Sequence, residues 1–300
     1  MAVAIFRGAN FCFSIMFRMS DIIFELKDVH FSYLGKFPAL CGVDMNVAKG
    51  QRIAIVGANG SGKSTLLQML DGLIFPDKGS VSAFGRELTE GAFGDDDFSL
   101  NFRSRVGLVF QNPDVQLFCP TVREDIVFGP LQLGVGKEEI KIRLEKLADI
   151  FDIKDLMDRS PYQLSVGEKR KVSIASTLSM EPEVIILDEP TAGLDPATVR
   201  HIIDIIIQAN LEGKTIITAT HDLHIIEEVS DIVYVLGREK KIIRSASPHE
   251  LLTDSRFLRD NNLIHIHSHR HKDQFHIHSH QHLDHHHPEK NGDGSIFSNK

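Results

Sequence analysis

Short apolar runs alternate with helical periodicities along most of this chain. The apolar runs have the pattern of strands buried on both faces of a sheet, and they are residues 52–56, 105–110, 184–187, 216–219 and 232–236. Helical patterns recur at residues 63–70, 137–151, 167–179, 196–210 and 223–229. This alternation predicts an α/β fold with a mostly parallel sheet covered on both faces. Residues 91–101 lack periodicity and are predicted to form a solvated loop.

The composition is that of an ordinary globular protein with an acidic balance. Its 300 residues carry a formal net charge of -8, so nucleic acid is not a favoured partner. No apolar stretch approaches the roughly 20 residues that span a bilayer, so any membrane spans must come from other chains. We expect residues 1–20 to be an extension outside the fold, with translation starting at Met19.

The composition changes abruptly after Leu258, because histidine-rich sequence follows and apolar residues become too sparse for a core. We therefore expect residues 259–300 to form a disordered tail. Neutral imidazole suits nickel, cobalt, copper and zinc, so the tail predicts binding of a divalent transition metal but does not by itself identify which one. A solvating low-complexity tail is the alternative. The candidate ligands are His265, His267, His269, His271, His276, His278, His280, His282, His285, His286 and His287.

A glycine-rich run lies between the apolar run 52–56 and the helical pattern 63–70. Its glycines let the backbone curl around an oxyanion, with N–H groups aimed at phosphates. Lys63 can reach the β- and γ-phosphates, and the Ser64 hydroxyl can bind Mg²⁺. The run therefore predicts a nucleoside triphosphate site formed by Gly57, Ala58, Asn59, Gly60, Ser61, Gly62, Lys63, Ser64 and Thr65.

An acidic pair, Asp188 and Glu189, follows the apolar run 184–187. Asp188 is placed to hold Mg²⁺ through its water shell. Glu189 is placed to orient an attacking water and to accept its proton, a role typically worth about 10²–10⁴-fold in rate. An acidic pair at a strand end is common in isolation. Beside a phosphate loop, it predicts a centre that hydrolyses ATP.

A narrower motif is the stretch Leu-Ser-Val-Gly-Glu-Lys-Arg at residues 164–170. With the phosphate loop and the acidic pair, it resembles the nucleotide-binding subunit of an ABC transporter, over roughly residues 21–250. The resemblance implies an ABC-type P-loop ATPase domain, placed at residues 21–258, with a mostly parallel core sheet, an antiparallel β subdomain and a helical subdomain. It also implies ATP and Mg²⁺ as cofactors, and a second ATPase subunit, identical or different, that completes each ATP site.

The resemblance assigns roles to single residues. Gln111 matches the glutamine that senses Mg²⁺ and the attacking water, and His221 matches the histidine that contacts the γ-phosphate. Tyr33 matches the aromatic residue that stacks on adenine. Asp195 matches the loop that crosses the dimer interface. Together with Glu189, the residues Gln111 and His221 are the predicted catalytic set.

The serine-glycine motif departs from the usual LSGGQ pattern of the family. Val166 replaces the first glycine and Glu168 replaces the glutamine, whereas Ser165 and Gly167 remain. We therefore expect the motif to contact the phosphate of the ATP held by the partner subunit, because helix N-termini favour anions. Because Glu168 has a carboxylate where the family has an amide, we expect the polar contact from this position to the partner's nucleotide to differ from that of the family.

Residues 109–118 and 120–130 resemble the energy-coupling-factor branch, whose ATPases drive uptake of cobalt, nickel and vitamins. Combined with the histidine tail, this predicts a subunit that powers import of nickel or cobalt through separate membrane subunits. It would lie at the cytoplasmic face of the plasma membrane, with residues 111–128 docking a helix of the membrane partner. The alternatives are an energy-coupling-factor ATPase for a vitamin, and a soluble ABC ATPase or metal-buffering protein not coupled to transport.

Overall fold

The computed structural model describes the backbone of residues 22–271 and 274–280, and the side chains of residues 22–264. The predicted extension at residues 1–20 lies outside the described residues, as do His282, His285, His286 and His287 of the tail. Within the described part of the chain, no helix is long and apolar enough to cross a membrane.

Strands and helices alternate along the described residues, which confirms the predicted α/β class. The strands are β1 (Ile22–Tyr33), β2 (Phe37–Ala48), β3 (Arg52–Val56), β4 (Lys78–Ala83), β5 (Arg86–Glu87), β6 (Val106–Val109), β7 (Val184–Asp188), β8 (Thr215–Thr220), β9 (Ile232–Leu236), β10 (Ile242–Ala246), β11 (His265–His271) and β12 (Gln274–His280). The helices are α1 (Lys63–Leu70), α2 (Glu90–Phe93), α3 (Asp96–Arg105), α4 (Val122–Gln132), α5 (Lys137–Ile150), α6 (Val166–Leu178), α7 (Pro196–Leu211), α8 (Ile226–Val229), α9 (Pro248–Thr253) and α10 (Ser255–Asp260).

The larger sheet has the strand order β10-β9-β3-β8-β7-β6. Its neighbouring strands run parallel except for the antiparallel pair of β9 and β10. Because parallel strands end at one edge of the sheet, the segments that follow β3, β6, β7 and β8 meet there. That edge carries the phosphate loop, Gln111, the acidic pair and His221.

A second sheet, in the order β2-β1-β4-β5, is antiparallel throughout. Leu26 of β1 and Met45 of β2 are buried in the same hydrophobic cluster as Leu66 and Leu70 of α1. This shared core fixes α1, and with it the phosphate loop that precedes the helix. It also brings Tyr33, the last residue of β1, to the same edge.

A helical region packs against the parallel sheet around a separate hydrophobic cluster. Ile126 of α4, Leu147 of α5 and Val172 of α6 belong to this cluster, together with Leu187 of β7 and Ile202 of α7. The packing holds α6 beside the sheet. The antiparallel sheet and this helical region complete the architecture that the resemblance implied.

Two local predictions differ from the structure. The segment 91–101 is mostly helical, not a loop, because Asp95 caps α3 by accepting from the backbone N–H of Asp97 at 3.2 Å and of Phe98 at 3.4 Å. Phe98 and Phe102, one turn apart, pack against Phe93 and are the helical signal that the polar residues obscured. In the predicted helix 223–229, only the last turn, α8, is helical.

The packed region continues past the predicted domain boundary at residue 258. Leu263 and Ile264 are each 7% exposed and belong to a third hydrophobic cluster with Leu251 and Leu258. Beyond them, β11 and β12 pair as an antiparallel hairpin, with His265 opposite His280 in the backbone register. Histidines that alternate with other residues have the two-residue period of a strand, and the disorder predicted for residues 259–300 stays a prediction.

Candidate functional site

A cleft of about 470 Å³ opens at the carboxyl edge of the parallel sheet. It gathers the phosphate loop, the acidic pair, Gln111 and Tyr33 from four separate stretches of the chain. Its lining residues are Tyr33, Phe37, Pro38, Ala39, Asn59, Gly60, Gly62, Lys63, Ser64, Thr65, Gln111, Asp188, Glu189 and Lys240. The parallel topology thus brings together most of the residues that the sequence predicted to act on a nucleotide.

The phosphate loop connects β3 to α1 and requires glycine at Gly62. Gly62 has φ 110°, and a Cβ there would lie 2.4 Å from the carbonyl oxygen of Ala39, closer than any side chain tolerates. The backbone can therefore curl over the start of α1, where unpaired N–H groups and the helix dipole favour an anion. Ser61 and Thr65, also predicted here, are buried within the loop and the first turn of the helix.

Lys63 is the cation at the base of the cleft and is 7% exposed. Its Nζ donates to the carbonyl oxygen of Gly57 at 2.9 Å and lies 3.8 Å from Oε1 of Glu189. Burial lowers the pKa of Lys63, whereas the negative charges of Glu189 and Asp188 oppose this shift. An incoming phosphate would add negative charge beside the ammonium and favour its protonated form.

Asp188 ends β7 beside the phosphate loop and is 6% exposed. Burial raises the pKa of its carboxyl group, and a hydrogen bond from the Ser64 side chain opposes the rise. Its Oδ1 has no hydrogen-bond partner among the described residues. A carboxylate oxygen left unpaired beside a serine hydroxyl is a hard oxygen donor set, which fits Mg²⁺.

Glu189 follows Asp188 directly and adopts an unusual backbone conformation. Its φ of 47° is left-handed, a region that is uncommon for a non-glycine residue. The backbone N–H of Glu189 donates to Ala219 at 2.9 Å, which ties the turn to β8. The carboxylate is buried, with Oε2 2.9 Å from Nδ1 of His221. The Glu189 carboxylate thus lies against His221.

Gln111 and Tyr33 both line the cleft. Gln111 follows β6 and is exposed. The hydroxyl of Tyr33 lies 3.1 Å from Oγ1 of Thr65, and its ring packs edge-on against Phe31. The Tyr33 ring is 42% exposed, so it retains a surface on which a planar base can stack.

The serine-glycine motif does not line this cleft. Ser165 caps α6 by accepting from the backbone N–H of Glu168 at 3.3 Å, while Glu168 accepts from both the N–H and the hydroxyl of Ser165 at 2.7 Å. The hydrogen bonds from Ser165 lower the pKa of Glu168. Gly167 lies near Thr198, which donates to Asp195 at the start of α7. Ser165, Gly167, Glu168 and Asp195 therefore form a separate polar surface.

Sequence reasoning missed several cleft residues. Phe37 and Pro38 enter through the antiparallel sheet, and Lys240 enters through the turn between β9 and β10. Nζ of Lys240 contacts the carbonyl oxygen of Gly60. Phe37 and Pro38 follow Tyr33 by four and five residues, whereas Lys240 lies far from every motif along the chain and reaches the cleft only through the folded topology. The apolar residue Phe37, 63% exposed, was the one available signal.

A phosphate loop, a buried acidic pair and a separate serine-glycine motif on one α/β scaffold define a P-loop ATPase. Residues 40–192 match the ABC transporter family model. The nickel import ATP-binding protein NikO of Rhodobacter capsulatus is 46% identical over 245 residues, covering 80% of this chain and 95% of that protein. The energy-coupling factor transporter ATP-binding protein EcfA of Methanothermobacter thermautotrophicus is 41% identical over 239 residues, covering 80% and 75%.

A solved structure agrees with these relatives. CbiO1 from Clostridium perfringens, part of the ABC transporter complex cbiONQ, superposes with a TM-score of 0.68 at 36% identity, covering 81% of this chain and 95% of that one. The chain belongs to the ABC transporter family of ATP-binding proteins. Its described fold is the ABC-type P-loop fold, and it is an ATPase of that type.

Proposed function

We propose that Glu189 is the general base of ATP hydrolysis in this cleft. Its buried carboxylate lies beside Lys63, which would hold the β- and γ-phosphates, and beside His221, which would contact the γ-phosphate. The carboxylate accepts a proton from water as the water oxygen attacks the γ-phosphorus and the bond to ADP breaks. The contacts of the buried carboxylate with His221 and Lys63 support this role, because they hold it in place in the cleft.

The residues present fit Mg²⁺ at the same site. Ser64, Asp188 and Gln111 would hold the ion, since they line the cleft with oxygen donors and Oδ1 of Asp188 has no partner among the described residues. The bound ion would neutralise charge on the β- and γ-phosphates. Tyr33, whose exposed ring also lines the cleft, would stack on adenine.

A second ATPase subunit completes the site in this proposal. The observation behind it is the separation of the Ser165 surface from the cleft within one chain. Ser165 and Gly167, at the exposed start of α6, would then bind the γ-phosphate in a partner's cleft, with Asp195 at the interface. Introducing bulk and positive charge by Ser165→Arg should block hydrolysis while ATP binding persists. Retained turnover in this variant would oppose the dimer.

The capping arrangement at this surface gives Glu168 a part in the partner site. Its carboxylate accepts a hydrogen bond from the Ser165 hydroxyl at 2.7 Å. This hydrogen bond must break before the hydroxyl can donate to a phosphate. Glu168→Gln keeps the capping shape without the charge. We expect this variant to bind the partner's ATP at least as well as the wild type, whereas weaker ATP-dependent dimer formation would indicate that the carboxylate assists the contact.

The proposed transport function is import of nickel or cobalt, powered by this subunit. The carrying observation is the histidine-rich tail, supported by the similarity to NikO. Similarity to EcfA supports a second candidate, an energy-coupling-factor ATPase for another micronutrient such as a vitamin. Uptake of radioactive nickel and cobalt by cells that express the chain with its native membrane partners separates the two. Loss of metal uptake in a Lys63→Ala strain supports the first candidate, and unchanged uptake opposes it.

Membrane partners would dock on an exposed apolar patch after Gln111. The patch consists of Val115, Phe118 and Phe128, and the two phenylalanine rings contact edge-on with centroids 5.0 Å apart. Asp125 fixes the loop beneath them by accepting from the backbone N–H of Phe118 at 3.1 Å and of Cys119 at 3.0 Å. A membrane subunit's helix that covers this patch would hold the chain at the cytoplasmic face of the membrane.

The tail would bind the metal cargo and assist its delivery. Metal binding requires neutral imidazole, whose ordinary pKa is about 6.5, so affinity should fall between roughly pH 7 and pH 5.5. Because Leu263 and Ile264 are packed in the core, deletion of residues 265–300 is the appropriate truncation. The truncated chain should hydrolyse ATP normally but support less uptake at scarce metal. Equal nickel binding by full-length and truncated protein in calorimetry would reject the role of the tail.

A further inference from the structure

A buried arginine holds the segment that carries Gln111. Arg170, early in α6, is 2% exposed. Its Nη1 donates to the carbonyl oxygen of Phe110 at 2.6 Å, and its Nη2 donates to that of Gln111 at 2.5 Å. Both carbonyls belong to the chain that leaves β6 for the cleft. One guanidinium therefore donates hydrogen bonds to two consecutive carbonyl groups, the second of which belongs to Gln111, the predicted Mg²⁺-sensing residue.

Packing alone does not explain why a charged residue, Arg170, is buried at this position. Among the described residues it forms no ion pair, and its Nε has no hydrogen-bond partner. Burial lowers its pKa, opposed at longer range by the negative charges of Asp188 and Glu189. A methionine would occupy similar space without the desolvation of a cation. The hydrogen bonds to the Gln111 segment are what the guanidinium supplies and an apolar side chain cannot.

Neighbouring contacts tie the same segment to α6. Nζ of Lys169 pairs with Oδ1 of Asp114 at 2.6 Å. From the other direction, the Gln116 amide donates to the carbonyl oxygen of Ser173 at 2.8 Å, while its Oε1 accepts from the N–H of Phe110 at 3.2 Å. The segment 110–116 and α6 are thus joined at several points. Arg170 contacts the backbone of Gln111 itself.

We propose that Arg170 is a positioning residue that couples the ATP site of this chain to the Ser165 surface that it offers to its partner. The inference rests on the roles proposed above for Gln111 and Ser165. Because Arg170 binds the backbone of Gln111 and lies in the helix that Ser165 caps, movement of Gln111 on nucleotide binding displaces the start of α6. Occupancy of one ATP site thereby alters the contact made to the other.

The test replaces the guanidinium in the full-length chain. Arg170→Lys keeps the positive charge, but one ammonium cannot span both carbonyls in the same geometry. The matched control is Arg143→Lys, since Nη1 of Arg143 also donates to a backbone carbonyl, that of Ser179 at 3.0 Å, at the other end of α6. The measurements are kcat, the Mg²⁺ concentration for half-maximal activity, the Hill coefficient for ATP, the Kd of a fluorescent ATP analogue and Tm.

We expect Arg170→Lys to lower kcat by about 10- to 100-fold, the effect of a small misplacement of a reacting group. The Mg²⁺ requirement should rise and the Hill coefficient should approach that of independent sites, while the Kd of the analogue changes little. The control should alter Tm alone. If Arg170→Lys fails to fold, Arg170→Gln carries the same expectation. A kcat and Mg²⁺ requirement within about twofold of the control would overturn the proposal.

A second variant separates this proposal from the one it rests on. If Gln111→Ala leaves kcat and the Mg²⁺ requirement unchanged, the role of Gln111 itself is wrong. If Gln111→Ala is impaired and Arg170→Lys is not, only the positioning role is wrong. When Arg170 acts through Gln111, the double variant should be no slower than the slower single variant, whereas additive losses would show independent roles.

Discussion

Asp71 provides a stability prediction at the end of the phosphate-loop helix. It forms the C-cap of α1, with a side chain that is 9% exposed and an Oδ2 that lies 3.2 Å from Nη1 of Arg103. Burial raises the pKa of Asp71 to about 7 from 3.8, even though Arg103 favours the ionised form. The folded protein therefore prefers this carboxyl group protonated.

The size of the effect follows from that shift in pKa. The difference 7 − 3.8 is 3.2 units, and at about 1.36 kcal/mol per unit the ionised carboxyl destabilises the fold by up to about 4 kcal/mol. The stabilising contribution of the protonated form is fully present below pH 3.8. It is lost as pH rises towards about 7, above which this group adds no further pH dependence.

Asp71→Asn keeps the shape of the side chain and an acceptor for Arg103, but it cannot ionise. We expect the variant to exceed the wild type in free energy of unfolding at pH 8, and the gap to widen by about 2–3 kcal/mol between pH 5 and pH 8. Urea unfolding of both proteins without nucleotide measures this gap, because other titrating groups cancel in the difference. Asp158→Asn, at a side chain 85% exposed, is the control and should change stability by less than about 0.5 kcal/mol. A variant less stable than the wild type at pH 8, or a gap independent of pH, would refute the reasoning.

Three further predictions concern the cleft and the predicted docking segment, residues 111–128. Gly62→Ala should abolish binding of a fluorescent ATP analogue, because the added Cβ would meet a backbone oxygen. Gly60→Ala is the matched variant: the added Cβ has open space, so only the left-handed φ of 74° should cost stability, by about 1 kcal/mol. Tyr33→Ala should weaken the Kd of the analogue by about tenfold, and Tyr33→Phe by less than threefold, because the ring does the stacking; equal losses would indicate that the hydroxyl matters. Arg123→Glu should reduce transport more than basal ATPase activity, measured in the same membranes, and a parallel loss of both would point to misfolding.

The sequence predicted those features that depend on neighbouring residues. The phosphate loop, the acidic pair and the apolar runs are local patterns, so the order of residues along the chain is enough to place Lys63 at the start of a helix and Asp188 at the end of a strand. Helix α3 was not predicted, because its polar residues outnumber Phe98 and Phe102, whose packing against Phe93 is a tertiary contact.

Other features depend on how distant parts of the chain meet. The left-handed turn of Glu189 arises where β7 meets β8, and no pattern around residue 189 indicates it. Lys240 reaches the cleft because β9 lies next to β3 in the sheet. The hydrogen bond from Arg170 to the carbonyl oxygen of Gln111 joins residues 59 positions apart. Pairing of strands and packing of α6 determine these contacts, and both are properties of the fold.

The central claim is that the Glu189 carboxylate drives hydrolysis of ATP held in the cleft. The most direct measurement is steady-state ATP turnover by Glu189→Gln alongside the Kd of a fluorescent ATP analogue. The side chain keeps its size and loses its basicity, so we expect turnover to fall by at least about 100-fold while the Kd stays within about threefold of the wild type. Turnover within a few-fold of the wild type, with binding intact, would contradict the account.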